Sequence, residues 1–538
     1  MKKFSYLFIL FVSISIVSFA QTNSKKYKPE WESLQNYEAP EWYEDAKLGF
    51  WPIWGVYSIP AFKGDHAAEW YGRWMYSQKD QSSRNNQGLA THLHHNETYG
   101  PPGKFGYKDF IPMFTAEKFD AKEWITICKE GGARYFTALA VFHDAFCMWD
   151  SPSTEWDSVE MGPKRDIVGE LAMESRKQGL KFGVSNHSAW NYCFFEWNHI
   201  NRYDAINPDY QDLYGNPIVQ KSADTIRIYK GEERKTWIPR SRDAVQPSER
   251  DLNRWIERTK EVSDLYKPDL HYFDWGFKTA VWEPYRKEFA AHYYNKSVER
   301  GNGNFGKPNV VINYKNKMFE ADSAVRDFEH GAFDSISDMV WQTDESIYFG
   351  HNWGYADGIE IKPVNMVIDQ FIDVISKRGV LMLAIAPKAD GTIPENQKKF
   401  IKKMGTWLKI CGEAVYSTRP YDVFGELGEK WLIKDEHGHK LFLATTEDIR
   451  FTRNKANTTL YATSLVWPGE KMLIKTLAKA DLSKLKSIKL LGTTKILKWK
   501  QTREGLQITM PKKPNYKFAY PIKIDFNGQL PKGKINHN

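Results

Sequence analysis

The strongest pattern along the chain is a set of short apolar runs with no polar alternation. They fall at residues 134–141 (RYFTALAV), 180–185, 270–273 (LHYF), 310–314 and 380–385. Strands of this kind are covered on both faces, as in a parallel sheet wrapped by helices. Segments with helical spacing lie between them, at about 119–132, 167–178, 248–266, 283–295 and 363–376. Several of these stop at Gly or at Lys-Pro, as helices do. Residues 48–54 read as a first strand. The alternation predicts an α/β fold, a (β/α)8-like (TIM) barrel over residues 41–420. Residues of about 195–245 are polar and weakly periodic, which predicts an insertion or long loop near the barrel rim. After Arg419-Pro420 the texture changes to short apolar or alternating runs between turn residues, which predicts a C-terminal all-β sandwich over 421–530.

The 538 residues are enough for two such domains. Residues 1–20 have the form of a cleavable export signal: Lys2 and Lys3, an apolar stretch over 4–17, then Ser18-Phe19-Ala20. A polar arm follows over 21–40. No later run reaches membrane-spanning length, so the expected product is exported, periplasmic or secreted, with no membrane span. The net charge of +8 comes with no basic run and no nucleic-acid module, so no nucleic-acid partner is expected. Four widely spaced cysteines make neither a disulfide framework nor a zinc pattern and read as small buried residues. The 21 Trp, 28 Tyr and 31 Phe provide flat apolar faces with polar edges, which suit sugar rings as well as cores.

Against that frame a few polar residues stand out. Asp274 directly follows the 270–273 strand, at the carboxyl-end rim where barrel enzymes keep their chemistry. It reads either as a nucleophile or as the cap of the next turn. Glu69, flanked by Trp70 and Tyr71, is either a sugar-binding acid or the acid of a helix start. His143 and Asp144 follow the second strand, and His187 follows the third. His92, His94 and His95 have no carboxylate or Cys at ligand spacing, so structural or substrate-loop histidines are expected rather than a metal site.

Taken in order, several segments resemble the α-L-fucosidase family of glycoside hydrolases, numbered 29. They are WYEDAKLGFW-WGVYSIPA with Glu69-Trp70-Tyr71, GGARYFTALAVFHDAFCMWDS, GPKRDIVGEL, LKFGVSNH, YKPDLHYFD, AHYYN, DFEHG, WQTD with NWGY, and DVISKRGVLMLAIAPKADGTI followed by GEAVYSTRP. The combination of DFEHG and WQTD is similar to the branch found in polysaccharide-degrading bacteria. The resemblance implies retaining, exo-acting hydrolysis of terminal α-L-fucosyl residues from an oligosaccharide or polysaccharide, without metal or organic cofactor. It places the nucleophile at Asp274. Gln342 stands where many members carry Glu, so the acid/base falls to Glu329, with Glu345 and Glu69 as fallbacks; a salt bridge with Arg326 or His330 is the alternative role for Glu329. Substrate contacts are implied for Trp54, Glu69, Trp70, His143, Asp144, Trp149, His187 and Trp353. Two sugar-binding histidines of the family are replaced, by Ile53 and Phe142. Each lost hydrogen bond to a hydroxyl is worth about 0.5–1.5 kcal/mol, so a related substrate is the alternative: an α-L-galactoside on algal, sulfated galactan oligosaccharides. A catalytically weak glycan-binding relative is the other.

Overall fold

The computed structural model describes residues 25–64, 67–78, 88–216, 225–229, 232–236, 246–350, 352–428, 432–434 and 440–534. The expected signal segment at 1–20 and parts of the 195–245 stretch lie outside the described residues. What is described of the insertion is a string of short helical turns and a two-stranded hairpin, Thr225–Tyr229 with Glu232–Thr236.

Eight parallel strands form the barrel: β1 (Leu48–Pro52), β2 (Tyr135–Val141), β3 (Lys181–Asn186), β4 (Leu270–Phe273), β5 (Val311–Tyr314), β6 (Val325–Arg326), β7 (Trp341–Ser346) and β8 (Gly379–Ile385). Each is hydrogen-bonded to its sequence neighbour, except that β6 and β7 meet only through a parallel bridge between Asp327 and Gln342. β1 pairs with β8 and closes the ring. Six helices cover it: α1 (Ala121–Glu130), α2 (Ile167–Lys177), α3 (Glu249–Tyr266), α4 (Glu283–Glu299), α5 (Val364–Ser376) and α6 (Glu395–Cys411). No helix separates β5, β6 and β7 among the described residues. Their connections are loops, which leaves that side of the rim free to carry polar residues.

The apolar runs do form strands, and β2, β4, β5 and β8 are buried at every position. Helix α3 starts as its sequence dictates. Ser248 accepts from the Asp251 amide while Asp251 accepts in return, a capping box. It ends at Lys267, in the left-handed conformation before Pro268.

The C-terminal module begins where α6 ends. A five-stranded antiparallel sheet runs β9 (Thr418–Glu426), β10 (Ile449–Asn454), β11 (Thr459–Ser464), β16 (Tyr520–Phe526) and β13 (Leu485–Leu490) in spatial order. A three-stranded sheet, β12 (Lys471–Ile474), β15 (Leu506–Thr509) and β14 (Trp499–Gln501), packs with it around a separate core. Module and barrel are tied through α5. The Asp373 carboxylate accepts from Arg450 Nε at 2.6 Å and from Lys377 Nζ at 2.8 Å, and Asp373 and Arg450 are fully buried. Removing one member of such a pair strands a buried charge. Asp373→Ala is therefore expected to lower stability by about 3–5 kcal/mol, read as a fall in the urea midpoint. A midpoint within experimental error of the parent would count against this interface as a major tie.

Candidate active site

The site follows from strand alternation in a closed barrel. Successive side chains of a strand point to opposite faces. In β4, His271 and Phe273 face the helices: His271 Nε2 meets Ser263 Oγ on α3 at 2.7 Å and its ring packs on Phe289 and Tyr293. Tyr272 and Asp274 therefore face inward. By the same count Asn313 on β5 and Lys315 just after it point in, as do Gln342 and Asp344 on β7, and Ser185 on β3 with His187 just after it. The lower interior holds Gln342, whose Oε1 accepts from Tyr43 and Tyr135 and whose Nε2 donates to Asp327. The upper interior holds Asp274, His143, His187, Lys315 and Asp344.

Asp274 is the centre of this layer. Its Oδ2 accepts from His187 Nδ1 at 3.1 Å and lies 3.5 Å from His143 Nε2, while Oδ1 lies 3.1 Å from Lys315 Nζ. Burial raises a carboxyl's pKa, but here Lys315 and the two histidines outweigh it and hold Asp274 well below the usual carboxylate range. His143 donates from Nδ1 to the His187 carbonyl at 2.6 Å, which fixes its tautomer. Burial lowers the pKa of His143, with the Asp274 carboxylate that its Nε2 faces opposing. The buried, unpartnered Nε2 of His187 is suited to a substrate hydroxyl.

Lys315 joins three carboxylates. Its Nζ is 3.1 Å from Asp274, 3.1 Å from Glu329 and 3.0 Å from Asp344. Burial disfavours its charge, but these neighbours hold its pKa well above the ordinary lysine value. Two oxygens that each touch one nitrogen this closely are at most about 6 Å apart, below the roughly 6.5–9.5 Å that makes room for a water in an inverting pair. Glu329 is also the accessible member: its side chain is 38% exposed against 9% for Asp274. The loop that carries it is laced to β7. The Phe328 and His330 amides donate to the Gln342 and Asp344 carbonyls, and Thr343 Oγ1 donates to the Phe328 carbonyl.

Glu69 lies in a helical turn, Ala68–Trp70, beside the cavity. Its Oε2 accepts from the Gly354 amide at 2.9 Å, and its Oε1 is buried and unpartnered. Burial pushes its pKa up to about 7, with the Gly354 amide opposing and the Glu329 charge adding. Trp70 stacks on Trp275 (5.9 Å between centroids), and Trp275 meets Trp190 and His143. Trp353 stacks on His330 and lies under Lys315. Trp70, Trp275 and Trp353 are only half-buried, so two aromatic walls keep open faces around Asp274.

Several expected positions are corrected. Glu345 points outward from β7 by alternation. Its carboxylate takes His330 Nδ1 (2.6 Å), Lys362 Nζ (2.7 Å) and Gln370 Nε2 (2.7 Å) beneath α5. Burial would raise its pKa, but His330 and Lys362 drive it far below the carboxylate range, so it has no proton to give. Its work is to hold the His330 end of the Glu329 loop. Trp54 is core: it packs against Phe114, Phe119 and Trp124, and its indole donates to the Lys388 carbonyl. Trp149 is fully buried and donates to Glu261. Asp144 accepts from Tyr107 and from the Phe146 amide, and so shapes the turn that presents His143 rather than the cavity itself. Gln342 fits its place because a carboxylate there would face Asp327. Burial and the neighbouring Asp344 already push the Asp327 carboxyl well above its usual range.

His92 and His95 make structural contacts, with the Met75 carbonyl and with Tyr71 and the Phe105 carbonyl. Among the described residues the one group able to gather on a cation is His143, His187 and Asp274. Lys315 already supplies positive charge there. The four cysteines are buried thiols. Lys315, Trp190 and Trp275 are members of the Asp274 cluster that reading the sequence did not single out. The available signal for Lys315 was its place directly after a buried strand, the same signal that marks Asp274.

Comparison with known proteins fits this geometry. A family model described as α-L-fucosidase matches residues 15–413, and one described as the α-L-fucosidase C-terminal domain matches residues 444–525. The chain is 30% identical to the tissue α-L-fucosidase of Rattus norvegicus over 518 residues, covering 93% of this chain and 92% of that one. It is 27% identical to human plasma α-L-fucosidase over 506 residues, covering 91% and 89%. The crystal structure of Thermotoga maritima α-fucosidase aligns with a TM-score of 0.69 at 27% identity, over 93% of this chain and 100% of that one. The same enzyme in complex with a mechanism-based inhibitor aligns at 0.70.

Proposed function

The chain belongs to the α-L-fucosidase family of glycoside hydrolases, family 29, and from that premise we propose that it removes terminal α-L-fucosyl residues from glycans with retention of configuration. One observation carries the reading: Asp274 and Glu329 share a single ammonium, Lys315 Nζ, each 3.1 Å from it. Asp274 attacks the anomeric carbon while Glu329 protonates the departing glycosidic oxygen. The resulting glycosyl ester is cleaved by a water that Glu329 deprotonates, and two inversions give net retention. His143 and His187 accept or donate to ring hydroxyls, Glu69 offers its free Oε1, and the tryptophan faces hold the ring.

Phe142 is buried against His143 and His187, and Ile53, the residue after β1, is buried as well. An apolar surround favours the methyl group of a 6-deoxy sugar and penalises the additional hydroxyl of an L-galactoside. The test is proton NMR of the first sugar released from an aryl α-L-fucoside, with an aryl α-L-galactoside in parallel. The α-anomer should appear first, and from the fucoside faster. A β-anomer first, or no turnover of either, would overturn the reading.

Lys315 keeps the nucleophile ionised. Asp274 has a depressed pKa, so the carboxylate persists as pH falls and is lost only well below the usual range. In Lys315→Met that compensation goes and the pKa of Asp274 rises. The acid limb of kcat/KM, which reports the free enzyme, should then move to higher pH. An unmoved acid limb would assign Lys315 a purely structural role.

A further inference from the structure

We infer that the cleft between α5 and the C-terminal module is a second glycan-binding site, holding one or two residues of the polymer whose ends the barrel trims. This rests on the glycosidase reading for the identity of the polymer. The cleft has a volume of about 550 Å³ and is lined by Trp467, Tyr516, Phe518 and Tyr520 with Asn365 and Asp369 on the barrel side. That size, with a mainly aromatic wall and a few convergent polar groups, is the make-up of small-ligand sites. Trp467 meets Tyr520 edge-on at 5.1 Å, and Tyr516 lies 5.6 Å from Tyr520. Trp467, Tyr516 and Phe518 are half-buried, so their rings keep open surface in the cleft.

The second observation is on the cleft floor. Asp369 is 3% exposed, and its Oδ1 is sealed from solvent with no hydrogen-bond partner. The nearby cation, Arg450, is bonded to Asp373 instead. Burial pushes Asp369 up to about 8, against the pull of Arg450, so at neutral pH it carries a proton. An unmade hydrogen bond on a buried group is costly, and among the described residues no hydrogen bond to Oδ1 offsets it. A sugar supplies a C–H face for the rings and hydroxyls for the exposed amide of Asn365, and a turn of the Asp369 side chain brings its buried carboxyl to a hydroxyl as well. Lys513 and Lys517 are exposed at the mouth, so both neutral and sulfated residues can be accommodated.

The experiment uses full-length Asp274→Asn protein, which binds without turnover. It is titrated calorimetrically with a neutral fuco-oligosaccharide and with its sulfated counterpart. Two binding sites are expected for at least one of them. Adding Trp467→Ala should weaken one site about tenfold, or about 1.4 kcal/mol, and leave the other unchanged. Asp369→Leu should do the same while keeping or raising the unfolding midpoint, because an apolar group replaces an unpaired polar one. With Asp274 intact, both variants should hydrolyse an aryl α-L-fucoside at the parental rate. A single site throughout, or two sites both indifferent to Trp467→Ala and Asp369→Leu, would overturn the proposal. If the parent hydrolyses no glycoside but the Trp467-dependent site persists, the catalytic reading fails and this one stands.

Discussion

Asp274→Asn is expected to lower turnover of α-L-fucosides by about 10⁴-fold or more, in line with the loss seen when a covalent nucleophile is removed elsewhere. An amide cannot form the glycosyl ester, so the reaction loses its two-step route. The fold should survive. Asn is isosteric, and its carbonyl can still accept from His187. Lys315 keeps Glu329 and Asp344 as partners. The chemical check is Asp274→Gly with azide. Azide can enter the space left by the carboxylate and attack from the nucleophile's face, so the product should be the inverted β-fucosyl azide. Turnover within tenfold of the parent, or an α-azide product, would remove Asp274 from the nucleophile's role.

Glu329→Gln has the second largest expected effect, about 10²–10⁴-fold, the usual worth of a positioned general acid. The loss should depend on the leaving group. Oligosaccharides, whose alkoxide needs a proton, should suffer fully, whereas activated aryl fucosides should form the intermediate readily and stall at its hydrolysis. Azide should then speed Glu329→Ala and give the retained α-azide. Glu69→Gln supplies the competing outcome. Its carboxyl, pushed up to about 7 by burial and unpartnered at Oε1, can carry a proton at neutral pH. If leaving-group dependence appeared in Glu69→Gln and not in Glu329→Gln, the acid role would pass to Glu69. Glu345→Gln should act differently again, loosening the His330 end of the loop without altering leaving-group dependence.

Most of the barrel was legible because its strands are apolar on both faces. β2, β4, β5 and β8 are mostly apolar and buried at every position, so each leaves a short apolar run, and the helices between them carry their own caps. β6 and β7 produce no such signal. β6 has two residues, and β7 reads Trp-Gln-Thr-Asp-Glu-Ser because the barrel interior there is polar. Gln342 and Asp344 are tolerated inside because Tyr43, Tyr135, Tyr272 and Lys315 satisfy them. In helix α6 paired lysines interrupt the apolar positions, so its sequence periodicity is weak. Trp54 and Trp149 show the opposite error: an aromatic beside a rim segment looks the same in sequence whether it faces a sugar or a core.

The sequence by itself determined the order of strands and helices, the break near residue 420, and an acid at the end of β4. These depend on local periodicity, which the chain carries residue by residue. Only the tertiary structure decided which carboxylates meet. Glu329 and Glu345 are 16 residues apart and chemically alike, yet one shares an ammonium with Asp274 and the other lies under α5. The reason is geometric. A strand sends alternate side chains to opposite faces, and closing eight strands into a ring makes one face a shared interior. Lys315, Asp274 and Glu329 come from three different strand ends and meet only when that ring is closed.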